Sequence, residues 1–572
     1  MIYRFCDTKK LRIMKLRFLI LLLLLPLVSK AQKIRYINPM DIPMILSASC
    51  AELRPNHFHG GIDITTAGEE NIPIKAAADG WVSRIKVSPY GYGHGLYITH
   101  YDGHTTVYGH MNEYAPKIEA AVNAEQYRLQ SFDVDYYPKK DEIKVKRGEV
   151  VAFSGNTGGS GGPHLHFEVR DTESELALNP LDYLAPVSDD QAPTVYGIKA
   201  YVLEHDSQID FACADRYYNL NQIQGRTINA FGHIGLGINA VDYFIAGHRP
   251  CGVVEVRLYD GEKLIFRSRL DSIPFDKSRY INSFIDYAFY QDTKQYVQKS
   301  FVEPNNQLDI FSDVHDLYIA PGEIHNMRYE LEDLVGNRRT VTFSIAGNAS
   351  ETAVPITPSG IFLDWYKEWV VDTCGITIRI PHSTFYKSEY LQVGCSESPR
   401  YARPVYQVGD YHIPLQNYIS LAIPVPAKID SLVGVKFKPK QVFVAKMGAK
   451  NSLGYIGGVY NKGVVTAETR TLGYFLIATD TIPPKISGRN RSSVLTQNGM
   501  IMIGIGDNMS GIEKYNIYID GVWKLFEYDY KNTRLIAKVS KLGLKSGAHT
   551  LVAKVEDPCG NEGVWEWKFT VR

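Results

Sequence analysis

The sequence predicts an all-β protein of several domains. Its 572 residues exceed the usual content of one domain, which is about 150 residues. Aromatic residues make up 12% of the chain, with 38 tyrosines, and aromatic side chains favour half-buried strands. Short apolar runs recur between Gly-rich turns, a pattern typical of antiparallel sheets. These three observations favour a series of antiparallel β domains.

Composition and charge exclude two broad classes of protein. Hydrophobic residues make up 45% and charged residues 22%, which is ordinary globular composition and argues against a largely disordered chain. The 62 basic residues balance the 62 acidic residues. Nucleic-acid binding usually requires a basic surface. We therefore expect no nucleic-acid partner.

Residues 1–31 are predicted to be a signal peptide. Basic residues at Lys15 and Arg17 precede the apolar run 18–28, and Ser29-Lys30-Ala31 has the small-residue pattern of a cleavage site. The run is too short to span a bilayer, which takes about 20 residues. A membrane anchor, or a true start at Met14, are the alternatives. The mature protein is expected to be exported, to the periplasm, the cell envelope or the medium, without a transmembrane span.

The first domain is predicted at 32–186, and half of the 16 histidines lie between His57 and His166. Alternating apolar residues predict strands, and one Ala/Glu/Gln-rich segment predicts a helix. The expected strands are 74–78, 81–87, 96–100, 105–108, 150–153 and 165–169, and the expected helix is 115–129. That helix belongs to an insertion at about 112–141, which could line a groove or could be merely solvated.

Two later segments repeat one another and predict two immunoglobulin-like β-sandwiches, at 190–347 and 482–572. Each ends in a D-x-x-G-N motif, at Asp333-Leu-Val-Gly-Asn337 and Asp557-Pro-Cys-Gly-Asn561. A further β-rich module is expected at 350–480. The polar linker 187–193 separates the first domain from the rest. The six cysteines after the signal peptide are irregularly spaced, which favours buried free thiols, with Cys374 and Cys395 as the pair to test for a disulfide.

Histidine and aspartate side chains in the first domain form a candidate metal site. In a strand, residues two apart point to one face, so His164 and His166 project side by side. His59 and Asp63 are four apart around two glycines, and in an extended segment they also share a face. A lone H-x-H is most often a chance pair, but both patterns occur here in one β domain.

Two imidazoles and a carboxylate, from His59, His166 and Asp63, make a three-ligand set for Zn²⁺ that leaves a fourth position open. Such a zinc ion polarises a carbonyl and acidifies a bound water, which is the chemistry of a hydrolase. His110 and His164 remain to serve as base and transition-state stabiliser.

Three motifs resemble those of the lysostaphin/LytM-type zinc metallopeptidases, family M23. They are His59-Gly-Gly-Ile-Asp63, Tyr108-Gly-His110 and Gly162-Pro-His-Leu-His-Phe-Glu168. The resemblance covers about residues 53–183. It implies an antiparallel sheet with a groove, one Zn²⁺ on His59, Asp63 and His166, a proton acceptor at His164 and an oxyanion stabiliser at His110.

The resemblance also implies hydrolysis of peptide cross-links in peptidoglycan, during cell-wall remodelling. We therefore expect an exported zinc metalloendopeptidase whose C-terminal modules position the enzyme or bind wall or envelope proteins. Two alternatives stay open. One is a catalytically silent LytM-like regulator of another wall hydrolase, although the metal-ligand set is complete here. The other is a surface adhesion protein whose function is carried by the β-sandwich modules.

Overall fold

The structure is a computed structural model that describes residues 36–244, 250–270, 272–355, 357–427, 429 and 436–572. The predicted signal peptide lies outside these residues. None of the helices within the described ranges is both long and apolar enough to cross a membrane.

Antiparallel β-sheet dominates every part of the chain that is described, which confirms the prediction of an all-β, multi-domain fold. Within the described residues, the α-helices are short and few beside the strands. They are Pro116–Leu129, Leu220–Ile223, Ile281–Phe284 and Tyr287–Thr293. The 3-10 helices are Pro180–Asp182, Ser278–Tyr280, Pro439–Gln441, Ala449–Asn451, Tyr530–Asn532 and Val539–Lys541.

The first domain is built from one large sheet, one small sheet, a separate two-stranded pair and one α-helix, α1 (Pro116–Leu129). Its strands are β1 (Leu46–Ala48), β2 (Leu53–Arg54), β3 (His57–Phe58), β4 (Ile62–Thr65), β5 (Pro73–Lys75), β6 (Gly80–Val87), β7 (His94–His100), β8 (His104–Met111), β9 (Glu113–Tyr114), β10 (Val134–Tyr136), β11 (Lys144–Val145), β12 (Val150–Phe153), β13 (His164–Asp171) and β14 (Ala177–Leu178).

The large sheet has the strand order β1-β4-β13-β8-β7-β6-β10, and the small sheet has the order β5-β12-β9. One face of the large sheet carries the apolar residues that the alternation predicts. Its central side chains include Ile64, Tyr108, Leu165 and Phe167, all fully buried. The opposite face of the central strands β4, β13 and β8 is where the predicted site residues meet.

Helix α1 begins one residue later than predicted, because Pro116 suits the first helical position and Ala115 precedes it in extended conformation. Its buried residues Ile118, Val122 and Gln126 recur every four positions, so they form one stripe. The helix ends where Gln130 adopts the left-handed conformation, with φ of 50°.

The core of the first domain continues into residues that follow the linker. Strand β14 pairs with Ser272–Ile273, and the backbone N–H of Phe58 donates to Ser278 Oγ at 2.9 Å. Apolar residues from beyond the linker that are buried in the same core are Phe244, Cys251, Leu270, Ile273, Tyr280, Ile281, Phe284, Ile285, Leu308, Ile310 and Tyr386. A domain boundary near residue 186 stays a prediction, since this core does not end there.

Strands of the second module wrap around the long strand Thr227–Tyr243, which pairs with Thr194–Val202 and, in parallel, with Arg338–Gly347. Its other strands are Gln208–Ile209, Arg216–Asn219, Pro250–Cys251, Glu255–Asp260, Lys263–Arg269, Gln298–Lys299, Phe311–Ser312, Tyr318–Ile319 and Ile324–Glu332. The immunoglobulin-like assignment of this module stays a prediction.

The third module contains two five-stranded antiparallel sheets and a two-stranded pair. The strands are Ile361–Leu363, Trp369–Thr373, Ile376–Ile380, Glu389–Leu391, Val393–Ser398, Arg403–Val408, Ile419–Pro424, Val442–Met447, Leu453–Gly457, Val459–Asn461, Val464–Thr469 and Gly473–Thr479. Cys374 and Cys395 both lie here as exposed free thiols, and the structure records Cys50, Cys213, Cys251 and Cys559 as buried free thiols.

The fourth module contains a four-stranded and a five-stranded sheet. Its strands are Lys485–Gly488, Val494–Leu495, Met500–Gly506, Lys514–Ile519, Val522–Trp523, Glu527–Asp529, Arg534–Lys538, Gly547–Glu556 and Glu562–Val571. This module packs against the first domain. The Trp523 ring lies 5.3 Å from the Tyr127 ring of α1, and Lys541 Nζ lies 3.0 Å from Glu119 Oε1. The insertion at 112–141 therefore forms part of the interface between the first domain and the fourth module.

Candidate metal centre

Strands β4 and β13 of the large sheet bring two of the three predicted ligands together, with β8 beside them. In the register of the sheet, His166 on β13 stands opposite Asp63 on β4 and opposite Gly109 on β8. A Cβ atom added to Gly109 would lie 3.2 Å from the Cβ of His166. The glycine of the Tyr-Gly-His motif therefore leaves room for the His166 side chain.

His59 lies on the loop before β4 rather than in an extended segment shared with Asp63. Its backbone N–H donates to the Glu52 carbonyl at 2.9 Å, and its own carbonyl accepts the N–H of Ala51 at 2.8 Å. A Cβ atom on Gly61 would lie 2.2 Å from the carbonyl oxygen of Phe167, so only glycine fits there. The loop can thus lie against β13 and direct the His59 ring toward Asp63.

The ligand atoms of His59, Asp63 and His166 form a small triangle. His59 Nε2 lies 3.0 Å from Asp63 Oδ1 and 2.9 Å from His166 Nδ1, and His166 Nδ1 lies 2.9 Å from Asp63 Oδ1. All three residues are at most 5% exposed. Ligands about 2.0–2.2 Å from a tetrahedral zinc are about 3.3–3.5 Å apart, so a small outward shift would fit the ion.

The second nitrogen of each histidine ligand is held by a hydrogen bond. His59 Nδ1 donates to the Ser49 carbonyl at 2.8 Å, which leaves Nε2 unprotonated in the neutral ring. His166 Nε2 lies 2.7 Å from Glu168 Oε1 and donates to it, which leaves Nδ1 free for a metal. Such outer partners fix both the tautomer and the orientation of a ligand.

Glu168 is itself completely buried and is held from its other side. Arg170 Nε donates to Glu168 Oε2 at 2.6 Å, and the Tyr92 hydroxyl donates to Oε1. Burial alone would raise the pKa of Glu168, but the charge of Arg170 and the hydrogen bond from His166 hold it well below its usual range. The carboxylate is therefore ionised and orients His166.

The second oxygen of Asp63 is also engaged. Arg54 Nη2 donates to Asp63 Oδ2 at 2.9 Å, and the Arg54 Nε lies 3.6 Å from Glu52. The sequence leaves Arg54 equally suited to holding a substrate carboxylate or to a structural ion pair. The structure places it in the ion pair, where it directs Asp63 Oδ1 toward the two imidazoles.

The electrostatics of the triangle favour a cation at its centre. Burial lowers the pKa of His59, while that of Asp63 lies well below its ordinary value, because His59, His164 and His166 outweigh the effect of burial. Burial also lowers the pKa of His166, but its bonds to Asp63 and Glu168 raise it to about 9. In the metal-free protein one extra proton therefore resides on His166.

His164 and His110 lie beside this triangle. His164 Nε2 is 3.5 Å from Asp63 Oδ1, and the His110 ring centroid is 4.7 Å from that of His164. Regular alternation along β8 would place His110 on the core side. A bulge between β7 and β8, with His110 at φ of 63°, moves its ring to the site face and returns Met111 to the core.

His110 and His164 have the same tautomer when neutral. His164 Nδ1 donates to the Gly162 carbonyl at 2.8 Å, and His110 Nδ1 donates to the Thr157 carbonyl at 2.9 Å. Each ring therefore presents Nε2 as a proton acceptor. Burial and the neighbouring histidines lower the pKa of His110 to about 3, so it is neutral near pH 7.

The remaining histidines of the domain stand apart from the triangle. The His100 ring accepts from Thr106 Oγ1 at 2.8 Å, His94 stacks on Tyr114 at 5.7 Å, and His104 packs against Tyr183 at 5.0 Å. His57 is exposed. Sequence reasoning did not find Tyr92, Ser49 or Arg170. Tyr92 and Ser49 contact the site from other segments of the chain, whereas Arg170 lies two residues after Glu168 on strand β13, so the alternation of the strand could have identified it.

Comparison with known proteins agrees with this geometry. Residues 57–127 and 129–180 match the model of peptidase family M23. The first domain is an M23 peptidase domain. Residues 361–480, in the third module, match the model of the Zu5-like domain.

Relatives of the M23 domain include DD-carboxypeptidase/endopeptidase Mpg of Neisseria meningitidis serogroup B, which is 30% identical over 132 residues, 23% of this chain and 24% of that protein. Lysostaphin of Staphylococcus staphylolyticus is 30% identical over 135 residues, 23% of each chain. The chain thus spans about a quarter of the length of the curated relatives that it matches.

Among solved structures, a catalytic-domain variant of the prophage-encoded M23 protein EnpA from Enterococcus faecalis is 27% identical. It covers 24% of this chain and 89% of that one, with a TM-score of 0.18.

Proposed function

We propose that this protein is an exported zinc metalloendopeptidase that hydrolyses peptide cross-links of peptidoglycan. The observation that carries the proposal is the buried triangle of His59 Nε2, Asp63 Oδ1 and His166 Nδ1, with all three separations at 3.0 Å or less. In a family of peptidases, a complete ligand set favours an active enzyme over a silent regulator.

The donor set fits Zn²⁺. Two imidazole nitrogens and one carboxylate oxygen leave one tetrahedral position open, as catalytic zinc sites require. The polar atoms that would not contact the ion, His59 Nδ1, His166 Nε2 and Asp63 Oδ2, already form hydrogen bonds with protein groups. The other polar atom of each side chain therefore faces the position of the ion. A zinc ion bound there would polarise the scissile carbonyl and lower the pKa of an attacking water.

The chain itself supplies proton transfer. We assign His164 as the acceptor of the water proton at Nε2, since its Nδ1 is fixed on the Gly162 carbonyl and its ring lies beside Asp63. We assign His110 to the developing negative charge. Because its neutral Nε2 is an acceptor, His110 could donate to an oxyanion only after it takes up a proton, and the attacking water is the source of a proton in this reaction.

The names of two relatives and the three motifs support the proposed substrate class. One relative is named a DD-carboxypeptidase/endopeptidase and another is lysostaphin, and the three motifs are of lysostaphin/LytM type. We extend this to peptidoglycan cross-links as substrate. The pattern of residues 1–31 supports export, and we propose that the C-terminal modules position the enzyme or bind wall or envelope proteins.

One experiment tests this proposal. The mature protein is incubated with zinc and purified peptidoglycan, and the new amino termini are identified by mass spectrometry. We expect new termini within cross-link peptides. If the wall is unchanged although the protein holds its zinc, the regulatory alternative replaces the proposal.

A further inference from the structure

Three aspartates from distant parts of the chain meet at the edge of the second module. Asp189 belongs to the linker 187–193, Asp242 lies near the end of strand Thr227–Tyr243, and Asp333 directly follows strand Ile324–Glu332. One carboxylate oxygen from each lies within 4.8 Å of the others. This triad is separate from the M23 site.

Asp242 is buried without a partner. The residue is 1% exposed, and neither of its carboxylate oxygens has a hydrogen bond. Oδ2 of Asp189 is also buried and unbonded. Among the described residues, the charged groups that chiefly shift the pKa of Asp242 and of Asp189 are carboxylates, and none of them is a cation. A buried carboxylate in this state is unfavourable unless a cation or a proton neutralises it.

The loop after Asp333 holds the triad in place. Asp333 Oδ1 accepts the backbone N–H groups of Val335, Gly336 and Asn337 at 2.8–2.9 Å, and Asp333 Oδ2 accepts the Asn337 side-chain amide at 2.8 Å. The Asn337 side-chain amide donates to the main-chain carbonyl of Asp189 at 3.3 Å. The D-x-x-G-N motif therefore builds a turn that fixes Asp333 and draws the linker toward it.

We propose that Asp189, Asp242 and Asp333 bind one Ca²⁺. Carboxylate oxygens are ligands of hard cations, and Ca²⁺ takes six to eight oxygens at about 2.3–2.6 Å in flexible geometry. Two oxygens that share a Ca²⁺ are at most about 5 Å apart, and the triad meets this limit. Mg²⁺ is less suited, since it requires near-octahedral geometry at about 2.0–2.1 Å.

The ion would join the linker to the second module. Asp189 comes from the linker that leaves the M23 domain, whereas Asp242 and Asp333 come from the sheet that follows. Calcium would therefore tie the linker to the second module, in addition to the shared core and the pairing of β14 with Ser272–Ile273. Burial and the charges of Asp333 and Asp189 raise the pKa of Asp242 to about 7, in agreement with a missing counter-charge.

The corresponding triad of the fourth module, Asp480, Asp507 and Asp557, provides a contrast. Asp480 Oδ2 accepts the Ser510 hydroxyl at 2.6 Å, and Asp507 Oδ2 accepts three backbone N–H groups. Asp507 is only half-buried. Protein groups satisfy five of the six carboxylate oxygens of this triad and leave Asp507 Oδ1 without a partner. The first triad has three unpartnered oxygens, two on Asp242 and one on Asp189, so the proposal is confined to it.

The test uses the full mature protein loaded with zinc. Calcium binding is measured by calorimetry and by thermal unfolding in the unmodified protein and in two variants, Asp242→Asn and Asp206→Asn. Asp206→Asn is the control, because it removes an exposed charge from the same module. At about 100 times the dissociation constant, we expect Ca²⁺ to raise the melting temperature by about 5–10 °C. Asp206→Asn should behave the same, and Asp242→Asn should bind one Ca²⁺ fewer and lose the shift.

Two further readouts keep the test decisive. Without calcium, Asp242→Asn should melt no lower than the unmodified protein, because it removes a buried charge. Hydrogen exchange in residues 187–192 should slow with Ca²⁺ but not with equal Mg²⁺. The proposal is overturned if about 10 mM Ca²⁺ changes neither the melting temperature nor this exchange, or if Asp242→Asn retains both effects.

Discussion

At the scale of single residues, the two ring nitrogens of His59 and of His166 have different functions. One nitrogen donates to a fixed oxygen, on Ser49 or on Glu168, and the other faces Asp63. The sequence motifs predict which residues approach the metal. They do not predict which ring nitrogen does so, because that depends on the folded positions of the partners, the Ser49 carbonyl and the Glu168 carboxylate.

Replacing His110 or His164 by alanine should separate catalysis from metal binding. Neither ring belongs to the ligand triangle, so both variants should retain one zinc per chain. Loss of proton transfer or charge stabilisation should lower kcat by about 10²–10⁴-fold. Zinc content by mass spectrometry and turnover of a cross-linked peptide are the measurements. If His164→Ala loses its metal, the roles within the H-x-H pair are exchanged.

Zinc affinity should depend on pH in a direction set by His166. Its pKa is raised to about 9, whereas Asp63 is ionised and His59 is neutral near pH 7. Zinc must therefore displace one proton, and the apparent affinity should rise about tenfold per pH unit from pH 7 toward pH 9. Competition with a chelator of known pH dependence measures this. A flat profile would mean that His166 is already neutral.

At the scale of structural elements, the Gly-rich loop 154–163 is held from outside its own domain. Lys531 of the fourth module donates from Nζ to the Asn156 carbonyl and, at 2.9 Å, to the Ser160 carbonyl. The Ser160 hydroxyl in turn lies 3.2 Å from His164 Nδ1. The fourth module therefore helps to position His164 through the loop.

Lys531→Ala should loosen this loop and lower kcat without loss of zinc. Misplacement of a reacting group by about 1 Å can reduce the rate about 100-fold, which sets the upper limit of the effect. Lys545→Ala, at an exposed position of the same module, is the matched control. Equal kcat in the two variants would show that the Lys531 contact does not influence the site.

The sequence predicts the longer strands of the first domain but misses several short ones. Where 74–78 is predicted the structure has the strand Pro73–Lys75, and β4, which carries Asp63, is not predicted. The run 150–153 is a strand with those bounds, and 105–108 and 165–169 lie within longer strands. Alternation of apolar side chains identifies such strands because one face of the sheet is buried. The bulge at His110 was not predicted, since it breaks that alternation and places a left-handed conformation on a residue other than glycine.

At the scale of the whole molecule, the modules share more surface than the sequence indicates. Phe275, which follows the linker by more than 80 residues, packs its ring 4.1 Å from the guanidinium of Arg170, the partner of Glu168. Composition and linker position suggest independent domains. Contacts of this kind depend on the final packing of the chain and leave no local pattern.

A fragment of residues 32–186 should therefore be much less stable than a fragment of residues 32–347. The shorter fragment would expose the apolar surface that Ile273, Phe284 and Ile285 cover in the full chain. Soluble yield and melting temperature of the two fragments, both with zinc, provide the comparison. Equal melting temperatures would show that the M23 domain folds independently, as the linker alone would suggest.

The most direct test of the central claim is the rate of cross-linked peptide cleavage as zinc is added to metal-free protein. We predict that the rate rises from near zero and saturates at one zinc per chain. His57→Ala, which removes an exposed imidazole, should follow the same curve, and Asp63→Ala should show neither tight zinc binding nor cleavage. Cleavage by metal-free protein, or by Asp63→Ala at the unmodified rate, would contradict the assignment of this triangle as the zinc centre.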